Sequence, residues 1–117
     1  MKTFEDRDLP ALIGKVANWH QDRNLIDGSD DKAQVLKLIQ EVGELSDSVC
    51  KNLTTIDDIG DIIVVLINIA VRNNLTIYEC LEYAYNDIKD RKGMMVDGIF
   101  VKDGDKLNID LDNFGNK

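Results

Sequence analysis

The chain has 117 residues, of which 44% are hydrophobic and only 6% aromatic. A chain of this length is expected to form one domain, with a core built from Leu, Ile and Val. The formal net charge of -8 excludes nonspecific binding to nucleic acid or to an anionic membrane, because both require a basic surface. A small anionic ligand is compatible with this charge if metal ions mediate the contact.

The N-terminal residues, the longest apolar run and the two cysteines together predict that the protein is cytoplasmic. Residues 1–8 lack the apolar core of a signal peptide. The apolar run from Ile62 to Ala70 is too short to span a bilayer. Cys50 and Cys80 do not have the spacing of a zinc site, and we expect both thiols to be buried and reduced.

The first predicted helix has Pro10 as an early residue and Asp8 as its N-cap. It runs to about Arg23, and its inward stripe ends on His20. We expect this histidine to be an ordinary core or surface residue. Residues 24–30 contain Asp-Gly-Ser and are predicted to form a loop.

The second helix is predicted from about Asp31 to Lys51. Apolar residues repeat there at helical spacing: Val35, Leu38, Ile39, Val42, Leu45 and Val49. After a break at residues 52–53, Thr54 or Thr55 is expected to cap a third helix that ends near Asn73.

This third helix is apolar on all sides. The segment Ile62–Ile67 has the β-branched residues of a buried strand. The apolar pattern nevertheless continues from Ile56 to Val71, about three times the length of a typical strand, which favours a helix. Because such a helix must be enclosed on every side, we expect a second subunit to cover it.

Thr76-Ile-Tyr-Glu79 has the spacing of a capping box and predicts a fourth helix that ends near Arg91. Within residues 95–101, Asp-Gly separates two apolar runs, which is typical of a β-hairpin. Residues 104–117 are rich in Gly, Asn and Asp and are expected to form a flexible polar tail. The predicted fold class is therefore all-α, with four helices and a short C-terminal hairpin.

Two acidic pairs carry the functional prediction: Glu41-Val-Gly-Glu44 and Asp58-Ile-Gly-Asp61. Their i, i+3 spacing puts both carboxylates of each pair on one face of a helix. Each pair lies in an apolar stretch, where unpaired charge is costly, so a cation is expected among the carboxylates. Oxygen ligands favour magnesium or manganese over zinc. A di-iron site would need Glu-x-x-His on two helices, and the chain has one histidine.

Simpler explanations exist for single residues of these pairs. E-x-x-E occurs by chance in many helices, and Asp58 would be an ordinary N3 residue if Thr55 were the N-cap. Asp61 lies a turn further into the helix and has no such role. Gly43 and Gly60 each cost about 1 kcal/mol relative to Ala in a helix interior. We expect them to allow close packing against another helix.

The chain resembles the MazG-type all-α nucleoside triphosphate pyrophosphohydrolases in two segments: Lys37-Leu-Ile-Gln-Glu41-Val-Gly-Glu44-Leu and Asp57-Asp58-Ile-Gly-Asp61-Ile-Ile-Val-Val-Leu. Two further segments resemble small phage-type MazG-like proteins: Trp19-x-x-x-Arg23-Asn24-Leu25 and Ile88-Lys-Asp-Arg-Lys-Gly93. In that family an E-x-x-E helix and an E-x-x-D helix hold magnesium. Here Asp58 replaces the first Glu of the second motif, and its shorter side chain would bind through water or need a closer helix.

The resemblance implies that residues 1–103 form a MazG-like domain that assembles into homodimers or homotetramers. It also implies hydrolysis of nucleoside triphosphates between the α and β phosphates, as nucleotide-pool housekeeping. Glu41, Glu44, Asp58 and Asp61 would hold magnesium or manganese. Glu41, Glu44 and Asp61 would be catalytic, with Glu41 as the candidate general base.

Several cations are candidates for binding the triphosphate. Lys37 lies four residues before Glu41 and would either reach a phosphate or form an ion pair with Glu41. Lys89, Arg91 and Lys92 form a dense basic cluster. This cluster would either contact phosphates or complement the C-terminal end of the fourth helix.

Base recognition and the exact activity stay open at this point. Trp19 would stack on a base or pack in the core, and Asn68 would bond to a base, to a sugar or to a neighbouring helix. A dUTP-, dCTP- or alarmone-specific hydrolase on the same fold is one alternative. A noncatalytic helical module that binds nucleotide or metal is another.

Overall fold

The computed structural model describes residues 8–104. Within this range the chain forms four α-helices followed by two β-strands, so the predicted helical fold with a hairpin is confirmed. The chain divides into two compact units, the first ending at Cys80 and the second beginning at Leu81. The predicted tail from residue 104 lies almost wholly outside the described residues, and the domain boundary at residue 103 stays a prediction.

Aspartate caps begin the first two helices. At the start of α1 (Leu9–Asp22), the carboxylate of Asp8 accepts a hydrogen bond of 3.1 Å from the Ala11 N–H. At the start of α2 (Asp31–Cys50), Asp30 accepts one of 2.7 Å from the Ala33 N–H. Each bond satisfies an amide that the helix itself leaves free. Both helices end within one residue of their predicted ends.

The third helix, α3 (Ile56–Arg72), begins differently. Thr55 holds the N-cap position but makes no side-chain capping bond. The hydroxyl of Thr54 instead accepts a hydrogen bond of 3.4 Å from the Ile56 N–H. The two predicted cap residues therefore share the role, one by position and the other by contact.

The fourth helix, α4 (Ile77–Ile88), starts at the predicted capping box. The Thr76 hydroxyl accepts from the Glu79 N–H, and the Glu79 carboxylate accepts from the Thr76 N–H, both at 3.0 Å. The helix ends three residues before the predicted Arg91.

Among the described residues no single helix is long and apolar enough to cross a membrane. Helices α3 and α4 meet that criterion only when they are taken together as a broken pair.

Helix α3 is the centre of the first unit, because it packs against both α1 and α2. Four of its residues are buried: Val65, Ile67, Asn68 and Ala70. Other apolar residues of the same helix remain exposed, among them Ile56 at 74% and Ile63 at 44%. The described residues therefore cover only one side of a helix that is apolar on all sides.

A buried polar network connects α1 to α3. The Asn68 amide nitrogen donates to the Leu25 carbonyl at 3.0 Å and contacts His20 Nδ1 at 3.2 Å. His20 Nε2 lies 2.9 Å from the Val64 carbonyl oxygen. Since a carbonyl only accepts, Nε2 carries the proton and Nδ1 accepts from Asn68. His20 is thus the core histidine that the sequence predicts.

The hairpin pairs β1 (Gly93–Val96) with β2 (Ile99–Lys102) in antiparallel register. The two turn residues, Asp97 and Gly98, have φ values of 50° and 80°. Positive φ at both positions is the geometry of the tight hairpin turn that Asp-Gly favours. The predicted hairpin is therefore confirmed.

The predicted burial of the two cysteines is wrong. Cys50 and Cys80 are exposed rather than buried, because each lies on a helix face that the described chain leaves uncovered. A Cβ atom added at Gly43 or Gly60 would have no non-local neighbour within 4 Å. Close packing within the described chain therefore does not explain either glycine.

Candidate functional site

Three acidic side chains from two helices meet in the first unit. Glu41 and Glu44 belong to α2, and Asp61 belongs to α3. One carboxylate oxygen from each lies within 4.8 Å of the others. The structure thus brings together three of the four predicted metal ligands.

The register of α2 against α3 explains this meeting. Arg72 Nε at the end of α3 pairs with Asp31 Oδ1 at the start of α2, at 3.0 Å, so the two helices run antiparallel. Ten residues separate Asp31 from Glu41, and eleven separate Arg72 from Asp61. At the helical rise per residue these separations are about 15 and 16 Å, which brings Glu41 and Asp61 level.

Glu41 is the buried member of the acidic cluster formed with Glu44 and Asp61. Its Oε1 lies 3.0 Å from Lys37 Nζ, whereas its Oε2 is buried without a hydrogen-bond partner among the described residues. The hydrogen bond from Lys37 lowers the pKa of Glu41, although burial acts in the opposite direction. A buried carboxylate oxygen without a partner is costly, and a bound cation would remove that cost.

The pKa values of the other two carboxyl groups, Glu44 and Asp61, are shifted in the opposite direction. Glu41 raises the pKa of Glu44, first through a hydrogen bond that Glu44 can donate only when it is protonated, and then through its charge. Burial raises the pKa of Asp61, and the charges of Asp57, Glu41 and Asp58 add to this effect. Raised values mean that the ionised forms are disfavoured, as expected for buried acidic groups that are crowded together.

Asp58, the fourth predicted ligand, does not belong to the acidic cluster. It is the third residue of α3, one turn before Asp61, and it is half-buried. Its charge is among the smaller causes, after Glu41, that raise the pKa of Glu44. Asp58 is therefore near enough to act on the cluster electrostatically, and its role as a ligand stays a prediction.

The acidic cluster fits a hard divalent cation. All its donors are carboxylate oxygens, which are the ligands that magnesium and manganese prefer. Two oxygens bound to one magnesium ion lie at most about 4.2 Å apart. Cis neighbours on an octahedral ion lie about 3.0 Å apart, so separations within 4.8 Å would need to shrink by about 0.6 Å for a trans pair and by up to about 1.8 Å for cis pairs. The exposed Glu44 side chain can move to allow this.

A cavity of about 450 Å³ adjoins the acidic cluster. Its lining residues come from α1 and α3: Lys15, Val16, Trp19, Asp61 and Val64. Asp61 therefore belongs to both the cavity and the cluster. The volume lies within the range of about 300–1,000 Å³ that small organic ligands occupy in proteins.

Trp19 is held by its neighbours and still faces this cavity. The Arg23 guanidinium lies over the indole ring, 4.4 Å from its centroid, and His20 packs edge-on at 5.3 Å. The side chain remains 44% exposed. Packing and ligand contact are therefore compatible roles for Trp19.

The remaining predicted substrate-binding residues have the following positions. Lys37 forms the ion pair with Glu41 that was one of its two predicted roles. Asn68 is fully buried, and its amide nitrogen is engaged by His20 and Leu25. That environment corresponds to the neighbouring-helix alternative, and contact of Asn68 with a ligand stays a prediction.

The basic cluster after α4 lies in the second unit. Its three residues, Lys89, Arg91 and Lys92, are exposed. Arg91 Nη2 pairs with Asp87 Oδ2 at 3.1 Å, and the Lys92 carbonyl accepts a hydrogen bond from the Asp103 N–H. Their contact with phosphates stays a prediction.

Sequence reasoning missed Lys15. This residue lines the cavity together with Trp19 and is exposed. Lys15 precedes Trp19 by four residues, so helical spacing alone puts both on one face of α1. The signal was present, but only the packing of α1 against α3 shows that this face borders Asp61.

The chain is similar to a protein of Haemophilus phage HP1 that is described as an uncharacterized 18.2 kDa protein in the rep-hol intergenic region. The two are 40% identical over 70 residues, which cover 58% of this chain and 43% of the phage protein. The chain therefore matches less than half the length of this relative. No protein-family model matches the chain, and no solved structure matches it.

Proposed function

We propose that this protein is a MazG-like nucleoside triphosphate pyrophosphohydrolase that depends on magnesium. The observation that carries the proposal is the buried, unpartnered Glu41 Oε2, in a cluster with Glu44 and Asp61. The adjoining cavity, which has room for a nucleoside, supports it further. The proposed role is nucleotide-pool housekeeping in the cytoplasm.

Glu41, Glu44 and Asp61 would hold magnesium, with manganese as an alternative. Asp58 would add a further ligand directly or through water. The chemistry that magnesium supplies when bound is neutralisation of phosphate charge and activation of water. Binding would also relieve the crowding of negative charge, which raises the pKa of Glu44 in addition to its hydrogen bond with Glu41 and that of Asp61 in addition to burial.

The side chains of the protein would position the reactants and accept the proton. Water would attack the α phosphorus, forming one P–O bond as the bond to the α–β bridging oxygen breaks. Pyrophosphate would leave with that electron pair, and Glu41 would take the proton of the water. Trp19 and Lys15 line the cavity in which the nucleoside would lie. Most catalysis of phosphoryl transfer comes from such positioning and charge.

The proposal includes a homo-oligomer in which a second copy covers the apolar faces of α2 and α3. Large apolar side chains on both helices are exposed: Leu36, Ile39, Val42, Val49, Ile56, Ile59 and Ile63. Exposed apolar surface of this kind marks interaction sites. Sedimentation should give two or four times the chain mass of 13.2 kDa. A folded sample with the mass of one chain would contradict the oligomer.

Pyrophosphate release from a panel of nucleoside triphosphates tests the activity. Release should require magnesium, stop on chelation, and fall strongly in Glu44→Gln and Asp61→Asn. Asp47→Asn is the matched control, because Asp47 is an exposed carboxylate of α2 that pairs with Lys51 outside the cluster. Release that survives both cluster substitutions unchanged would reject the site.

The same panel separates the alternatives. Turnover of a single nucleoside triphosphate would identify a base-specific hydrolase. Turnover of an alarmone alone would identify an alarmone-specific hydrolase. No turnover of any member, with nucleotide binding intact, would favour a noncatalytic binding module.

A further inference from the structure

A cation from the chain itself already contacts the acidic cluster. Lys37 Nζ lies 3.0 Å from Glu41 Oε1, and the lysine side chain is 52% exposed whereas that of Glu41 is only 6% exposed. The charged head therefore reaches in from solvent on a long flexible stem. It satisfies one oxygen of Glu41 and leaves the other without a partner.

Lys37 and Glu41 do not follow each other in the order that best stabilises a helix, so helix stabilisation is a poor explanation for this ion pair. Three i, i+4 ion pairs occur in the described residues: Lys37–Glu41, Asp47–Lys51 and Asp87–Arg91. The latter two have the acidic residue first, which is the orientation that favours a helix. Only the Lys37–Glu41 pair has the reverse order, and only this pair joins an acidic cluster.

The charge of Lys37 acts on the whole acidic cluster. Its hydrogen bond with Glu41, and then the charge of Glu41, raise the pKa of Lys37. Desolvation opposes this effect, and Glu44 and Asp61 add smaller favourable contributions. One ammonium group thus partly neutralises three crowded carboxyl groups, a role that a divalent ion would fulfil more completely.

We propose that Lys37 is a resident counter-ion that magnesium displaces from Glu41, after which its ammonium group binds a phosphate of the substrate. This inference rests on the proposed function. A divalent ion bound to Glu41 would repel an ammonium group 3.0 Å away, and the half-exposed stem lets that group swing into solvent. The incoming triphosphate then supplies the negative charge that attracts it. The two sequence-predicted roles of Lys37 become successive states of one side chain.

Chemical modification of lysine amines, read by mass spectrometry, tests the displacement without any turnover. The rate at Lys37 should be low with chelator, rise severalfold with magnesium, and fall again when a nonhydrolysable triphosphate analogue is added. Lys51 is the matched control, because it follows directly after the same helix and is paired with Asp47 at the same 3.0 Å distance. Its rate should stay constant in all three conditions.

Calorimetry with magnesium alone separates the possible failures. If magnesium binds but the Lys37 rate does not change, the displacement is wrong while the metal site stands. If magnesium does not bind, both the displacement and the proposed function fail.

Magnesium affinity gives an independent readout. Lys37→Met should bind magnesium severalfold more tightly than the native protein, because the ion no longer competes with the ammonium group. It should also raise the KM for the triphosphate. Lys51→Met should change neither quantity. Unchanged or weaker magnesium binding in folded Lys37→Met would overturn the proposal.

Discussion

Helix α3 packs against two neighbours and places polar groups toward each, but the two contacts differ in kind. Toward α1, Asn68 and His20 form a neutral network in which three hydrogen bonds engage both ring nitrogens and the amide nitrogen. Toward α2, Asp61 meets Glu41 and Glu44, which carry like charges. In the network with α1 these donors and acceptors satisfy one another, whereas the negative charge of the cluster with α2 is offset only in part by Lys37.

The two regions also differ in what their unpaired atoms imply. Each leaves one buried side-chain oxygen without a partner among the described residues: Asn68 Oδ1 and Glu41 Oε2. The amide oxygen of Asn68 is neutral, so burying it without a partner costs little more free energy than one lost hydrogen bond. The carboxylate oxygen shares a negative charge, so the free energy gained by supplying a cation is larger there. Function is therefore expected at the α2–α3 contact and stability at the α1–α3 contact.

The largest expected effect is on catalysis. Glu41→Gln should lower pyrophosphate release by about 100-fold or more, because it removes a metal ligand and the proposed base. The melting temperature measured with chelator should fall only slightly, because the ion pair with Lys37 is lost while the repulsion among three carboxylates is also relieved. Asp47→Asn should keep full activity. If the variant loses activity only because it unfolds, Glu41 stabilises the fold and the proposed catalytic role is contradicted.

The next effect is on stability at the other contact. Asn68→Ala should lower the free energy of unfolding by about 2–4 kcal/mol, because it leaves His20 Nδ1 and the Leu25 carbonyl without partners. Urea unfolding measures this change, with Asn18→Ala, at an exposed position of α1, as the control. Asn68→Ala should leave magnesium affinity unchanged. A variant of native stability that no longer binds nucleotide would instead confirm the ligand role of Asn68.

A smaller effect should appear in the free energy of unfolding of the metal-free protein, which should depend on pH. The folded-state pKa values of Glu44 and Asp61 are raised above their ordinary values. Both groups bind protons more tightly when folded, so their contribution to stability is present at acidic pH and is lost as pH rises through the folded-state values. Glu41, with its lowered pKa, contributes with the opposite sign at lower pH.

Urea unfolding with chelator should therefore give a free energy that declines as the pH rises above about 4, the ordinary pKa of a carboxyl group. Saturating magnesium should abolish the decline, and Glu44→Gln should flatten it. A free energy of unfolding that rises over this range in the metal-free protein would show that the crowding of carboxylates is not significant.

The smallest effect concerns the two glycines. Gly43→Ala and Gly60→Ala should each stabilise the chain by about 0.5–1 kcal/mol, because an added methyl group has open space and helical propensity improves. Urea unfolding and sedimentation on the same samples measure the outcome. Destabilisation together with loss of the oligomer would show that a second copy packs closely at that glycine.

The sequence predicted most of the local structure, because caps and turns are local. Asp8, the Thr76–Glu79 capping box and the Asp97-Gly98 turn lie where their chemistry requires. The end of α4 was missed, because the polar residues after Ile88 contain no Gly or Pro until Gly93 to mark a stop.

The site was predictable only in part, because it depends on how helices cross. Periodicity put Glu41 and Glu44 on one face, but whether Asp58 or Asp61 faces them depends on the register between α2 and α3. The His20–Asn68 bond joins residues 48 positions apart in the chain, and the place of Lys15 beside Asp61 depends on the α1–α3 contact. Apolar spacing alone fixes none of these distances.

The central claim is that the α2–α3 contact binds a divalent cation through its carboxylates. Calorimetric titration of the chelator-treated protein with magnesium tests it most directly. We expect saturable binding that is lost in Asp61→Asn and in Glu41→Gln and retained in Asp47→Asn. Absence of binding to the native protein, or equal binding after Asp61→Asn, would contradict this assignment.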